Sequence, residues 1–153
     1  MMILVRGPVF LTRGLALLML AQGLTGLLLR DRYRDADWIR ATWFGNDWVT
    51  LVVALPLMLT AAARARAGSV RGLLLWLGLL GYAVYNYAFY LFGAALNVFF
   101  PLYVASVVLA AVSLILALST LDAGSVADAF EAAAPVRLVG GVLVAIGSGL
   151  AVV

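Results

Sequence analysis

Five long apolar runs, almost free of charge, constrain this chain more than any other feature. They cover residues 9–29, 48–63, 72–92, 98–121 and 136–153. An α-helix rises about 1.5 Å per residue, so roughly 20 apolar residues cross a hydrocarbon core of about 30 Å. Runs one, three and four reach that length, and the second, 48–63, is short and needs its flanks or a thinned bilayer. The fifth ends with the chain at Val153, which predicts a span cut short. None alternates apolar and polar residues as a transmembrane β-strand would, and lipid offers no partner for open backbone groups. The sequence therefore predicts an all-α fold: one polytopic transmembrane helix bundle, a single domain over 1–153 with about five spans. Composition agrees, since 66% of the residues are hydrophobic and only 11% charged. A water-soluble domain of this size would lack the polar side chains to cover itself.

The missing residue types exclude whole chemistries. There is no histidine and no cysteine, and all ten basic residues are arginine. That removes thiolate nucleophiles, Fe–S ligation, imidazole bases, bis-histidine haem and the usual zinc sites. Without lysine no Schiff base forms. There is no phosphate-binding glycine loop and no catalytic triad. No catalytic residue, metal site or cofactor is predicted, and the expectation is a non-enzymatic protein. The net charge of +3 comes from loop arginines rather than a basic patch interleaved with aromatics, so nucleic acid is not an expected partner.

The loops suggest an orientation. The first, residues 30–47, mixes Arg30, Arg32, Arg34 and Arg40 with Asp31, Asp35, Asp37 and Asp47. The second, RARAGSVR, carries three arginines and no acid. Cytoplasmic loops collect arginine, so the N-terminus is expected in the cytoplasm of a cell in whose plasma or inner membrane the chain sits. Arg6, Arg13 and the stretch Ala21-Gln22-Gly23 loosely resemble a cleaved signal, but LTGLLL prolongs the apolar run and favours a retained helix. Asn46 and Asp47 suit the N-cap of the second helix, and Pro56 predicts a kink within it. Ser125 and Asp128 form a capping pattern for a short interfacial helix over 126–134.

Residues 82–104 hold nine of the seventeen aromatic side chains, with Asn86 and Asn97 among them. Helical spacing places Tyr82, Tyr85, Asn86, Phe89 and Tyr90 on one face. That face suits a groove for a small apolar or amphipathic molecule, with hydroxyls and the amide fixing its polar end. An interfacial aromatic belt with Asn86 bonding another helix is the favoured reading of the two. Gln22 is the deepest strong hydrogen-bonding side chain, and Asn86 is one partner for it. No carboxylate is expected deep in a span, Asp47 being the nearest, at a helix start. Ser106, Ala110, Ser113 and Ala117 share one helix face, and Gly141, Ala145 and Gly149 another; small residues allow close helix packing, within the chain or in homo- or hetero-oligomers.

The segments GNDWVTLVVALPLML (45–59) and GYAVYNYAFYLFGAALNVFFPLYVA (81–105) resemble a group of uncharacterised bacterial multi-pass membrane proteins. The resemblance covers about half the chain, and the group's members look longer. It implies membrane location and no catalytic activity. The expected function is thus a membrane subunit or accessory protein in contact with the lipid bilayer, or else a carrier or binder of a small amphipathic molecule at the tyrosine/asparagine face.

Overall fold

The structure is a computed structural model; it describes residues 6–129 and 140, 141, 144 and 148. All regular structure among them is helical. Among the described residues, four helices are long and apolar enough to cross a membrane: Gly7–Leu28, Asp37–Arg66, Val70–Gly93 and Phe100–Ser119.

Helix α1 (Arg6–Leu28) carries Pro8 in its first turn, where no intrahelical N–H is missed. It buries Val9, Thr12, Leu15, Met19, Gln22 and Gly26, a stripe at three- and four-residue steps. A single 3₁₀ turn (Arg30–Arg32) then leads through Tyr33 to α2 (Asp37–Val49). A π-helical turn (Thr50–Ala54) joins α2 to α3 (Leu55–Arg66) without a break. There the Leu55 N–H bonds the Thr50 carbonyl five residues back. Pro56 accounts for this widening, because its ring crowds the carbonyl four residues earlier and it donates no hydrogen bond. The buried stripe Trp43, Asp47, Thr50, Ala54, Met58, Ala61 and Ala65 runs unbroken through the wide turn.

This second helix corrects the expectation of a short span at 48–63. It begins eleven residues earlier, at Asp37, and is 30 residues long. Asn46 and Asp47 are not at its N-cap, which is Ala36. The part of the charged stretch from Asp37 to Asp47 is helix rather than loop, with Trp43 and Asp47 on its buried side.

Between α3 and α4 (Val70–Gly93) only Ala67, Gly68 and Ser69 intervene. Gly68 has φ +85°, the left-handed conformation that favours glycine. The Ser69 N–H reaches the Arg64 carbonyl at 3.0 Å and the Gly68 N–H the Ala65 carbonyl at 3.0 Å, the paired bonds of a Schellman stop. The Ser69 hydroxyl then accepts from the Gly72 N–H and starts α4. Helix α5 (Phe100–Ser119) has Pro101 in its first turn. Helices α1, α3, α4 and α5 pack in a closed ring, each against two neighbours in an up-and-down arrangement with short connections. The core is the inward stripe of each helix, while Phe10, Leu17, Val52, Phe92, Val108 and Ile115 face outward. A soluble monomer rarely exposes so continuous an apolar surface.

Residues 122–153 form a separate unit. Its helix α6 (Ala123–Ala129) is capped by Asp122, whose carboxylate accepts from the Gly124 N–H at 3.0 Å. The cap is therefore Asp122, not Ser125. Most of the fifth apolar run, including Ala145 and Gly149, and residues 130–134 of the expected interfacial helix lie outside the described residues. Gly141 is helical and exposed.

Candidate functional site

A carboxylate is buried at one end of the four-helix unit. Asp47 is completely shielded from solvent and has no cationic partner among the described residues. Three neutral donors hold it instead. Gln22 Nε2 donates to Asp47 Oδ1 at 2.9 Å, Tyr90 OH to the same oxygen at 2.7 Å, and Tyr33 OH to Oδ2 at 2.8 Å. These donors come from α1, α4 and the linker after α1, so one side chain on α2 ties three other segments together. Tyr90 OH also lies 3.2 Å from the Trp43 carbonyl, and Gln22 Nε2 lies 3.3 Å from Tyr33 OH.

Burial is affordable here only because the oxygens are well supplied with donors; a bare carboxylate at this depth would be far less stable. Burial itself, and next the Asp47 carboxylate beside it, push the Tyr33 hydroxyl well above the usual tyrosine range. Tyr33 therefore stays protonated and keeps donating. Gly26 completes the fit: a Cβ there would collide with Asp47 Oδ2 and come within 2.6 Å of Tyr33 OH.

Aromatic rings enclose the cluster. Tyr90 packs on Trp43 at 4.8 Å between centroids, on Tyr103 at 5.0 Å and on Tyr87 at 6.1 Å, and Tyr33 meets Phe99 at 5.2 Å. A second amide pair sits beside it, with Asn46 Nδ2 donating to Asn86 Oδ1 at 2.7 Å. Among the described residues, several buried groups at this end have no hydrogen-bond partner: Gln22 Oε1, Trp43 Nε1, Thr50 Oγ1 and the Tyr87 hydroxyl.

A cavity of about 350 Å³ adjoins this end, lined by Arg30, Asp31, Tyr33, Asp37, Arg40, Ala41 and Phe44. Tyr33 is common to both: it walls the cavity and donates to Asp47. The Arg30 guanidinium lies over the Phe44 ring, 4.4 Å from its centroid, and Arg40 pairs with Asp37 one turn away.

The expected tyrosine/asparagine face divides. Asn86 and Tyr90 point inward, but Tyr85 is 71% exposed and stacks on the outward-facing Phe89; Tyr82 is half-buried. The inward face of α4 instead runs Trp76, Leu80, Ala83, Asn86, Tyr87 and Tyr90. Gln22 pairs with Asp47 rather than with Asn86, whose partner is Asn46. Asn97 is a local brace: its Oδ1 accepts from the Phe99 N–H at 2.9 Å and its Nδ2 donates to the Ala95 carbonyl at 3.0 Å, just ahead of α5. Ser106, Ala110, Ser113 and Ala117 are all buried along α5, inside this chain's own bundle.

Asp47, Tyr33 and Trp43 are the residues sequence reasoning missed. The signal was present in the four- and three-residue steps from Trp43 through Asp47 and Thr50 to Ala54, which extend the helical stripe of the second run backwards. Among the described residues no group of acids, histidines or cysteines could hold a metal. No protein-family model matches the chain, and no curated protein or solved structure matches it.

Proposed function

We propose that this chain is a multi-pass protein of the cell membrane, N-terminus cytoplasmic, that binds a small amphipathic molecule without chemical conversion. The binding place is the cavity at the Asp47 end of the bundle. One observation carries the reading. The cavity has the size of a small-molecule site, and its wall residue Tyr33 is hydrogen-bonded to the buried Asp47, which ties the wall to the core. Depth supports it as well. Gly26 lies two residues from the end of α1 and Tyr90 three from the end of α4, so the cluster sits just inside the boundary between hydrocarbon and headgroups. The first ten residues of α2, about 15 Å of helix, rise beyond it and carry the cavity's other wall. An amphipathic molecule at that level would place its polar part among the charges and its apolar part in lipid.

The accessory-subunit reading draws on the exposed Gly140 and Gly141, a small-residue surface suited to a partner helix. It has lost the α5 face, whose small residues pack within the chain.

The test is native mass spectrometry of the full chain released from mild detergent. Wild-type protein should carry a bound small molecule, and Ala41→Trp, which fills the cavity from an exposed position, should lose it while melting normally. Adduct-free spectra for both proteins would end this reading.

A further inference from the structure

Resting on the ligand-binding reading, we infer that the amphiphile carries a zwitterionic headgroup with a phosphate and a primary amine, as in an aminophospholipid. The cavity lining holds two cations and two anions. Arg40 and Asp37 neutralise one another. That leaves Arg30 and Asp31, adjacent in sequence, with no ion-pair partner among the described residues.

Each is poised for a partner of opposite sign. The Arg30 guanidinium carbon lies 4.4 Å from the Phe44 ring centroid, and among the described residues the side chain has no ion-pair partner. A guanidinium edge grips phosphate with two parallel hydrogen bonds. Asp31 is in the same lining as Arg30, and a carboxylate beside a phosphate site calls for an ammonium group on the ligand. A purely anionic headgroup would satisfy Arg30 and be repelled by Asp31. A quaternary amine donates no hydrogen bond and prefers an aromatic cage, and the one ring of this lining that could serve besides Tyr33, Phe44, is covered by Arg30.

The apolar half of the ligand also has a place. From the cavity, Phe44 is followed at four-residue steps by Trp48 and Val52, both half or more exposed, an outward lane for an acyl chain along the bundle. Arg30 is two residues past the end of α1, at headgroup depth. A soluble phosphoamine would use the charges but not the lane.

The experiment presents full-length protein in micelles with dioleoyl phosphatidylethanolamine, phosphatidylglycerol and phosphatidylcholine in turn, and with soluble phosphoethanolamine as competitor. Retained adducts are counted by native mass spectrometry. The ethanolamine lipid should be retained preferentially. Arg30→Gln and Asp31→Asn, both at exposed positions, should each weaken it about tenfold without lowering the melting temperature. Equal or better retention of phosphatidylglycerol, or indifference to Asp31→Asn, would overturn the zwitterion. Competition by phosphoethanolamine at concentrations equal to the lipid would overturn the lipid source. If no lipid is retained and Ala41→Trp matches wild type, the cavity reading itself fails, and this inference with it.

Discussion

Replacing Tyr90 by Phe removes one oxygen and leaves the ring packing intact. The deleted hydroxyl donates to Asp47 Oδ1 at 2.7 Å, with the Trp43 carbonyl a weaker alternative at 3.2 Å. An interhelical hydrogen bond between neutral groups in a membrane protein contributes about 0.6 kcal/mol on average. A bond to a buried carboxylate contributes roughly 1.5–3 kcal/mol. The two figures separate the possible roles of Asp47. If the carboxylate depends on its three donors, Tyr90→Phe lowers stability by about 2 kcal/mol, or about 4–8 °C in melting temperature for a chain this long. Thermal unfolding in detergent, followed by circular dichroism, measures it. Tyr85→Phe on the outward face of the same helix is the control and should melt like wild type, because its side chain is 71% exposed. Tyr33→Phe should cost a similar amount, and the double variant should depart from the sum, since both hydroxyls serve one acceptor. A Tyr90→Phe protein that melts within about 1 °C of wild type would refute the view that Asp47 ties the helices together.

Gly26→Ala should be among the most disruptive single-methyl additions, losing several kcal/mol or failing to fold, because the new Cβ meets Asp47 and Tyr33; Gly45→Ala, with nothing within 4 Å, should be neutral in the same melt. Asn86→Leu should lower stability by about 1 kcal/mol by leaving Asn46 unpaired, and Asn46→Leu on top of it should recover part of the loss. Single cysteines at Ala67 and Ala95, both exposed, report the orientation: an impermeant reagent on intact cells should label position 95 and spare position 67, and the reverse would invert the arrangement.

The hydrophobic interiors of α1, α4 and α5 were legible because lipid exposure demands an unbroken apolar run. The small-residue spacing of Ser106, Ala110, Ser113 and Ala117 was legible as a close-packing face for the same reason. The start of the second helix was hidden. Its first three turns mix Asp37, Arg40 and Asp47 with Trp43, and a hydropathy reading takes such a mixture for a loop. Face assignment on α4 failed on different grounds. A helix apolar all round gives no amphipathic signal to say which side is inward, so Tyr85 and Tyr90 looked equivalent until packing distinguished them. Asp47 was the deepest miss, since it closes a stretch of four aspartates and four arginines and reads as the N-cap of the second helix. Only the three-dimensional arrangement joins it to Gln22, Tyr33 and Tyr90.

The three-residue Schellman turn at Gly68 bears on how this chain enters a membrane. Ala67, Gly68 and Ser69 alone lie between α3 and α4, so in a membrane the two would insert together as a hairpin. The tip of that hairpin carries Arg64, Arg66 and Arg71. Pulling such a tip through hydrocarbon would cost roughly 2.5–3.5 kcal/mol per arginine. In a bilayer such a hairpin would have no inexpensive route to flip, so the orientation taken at insertion would be kept.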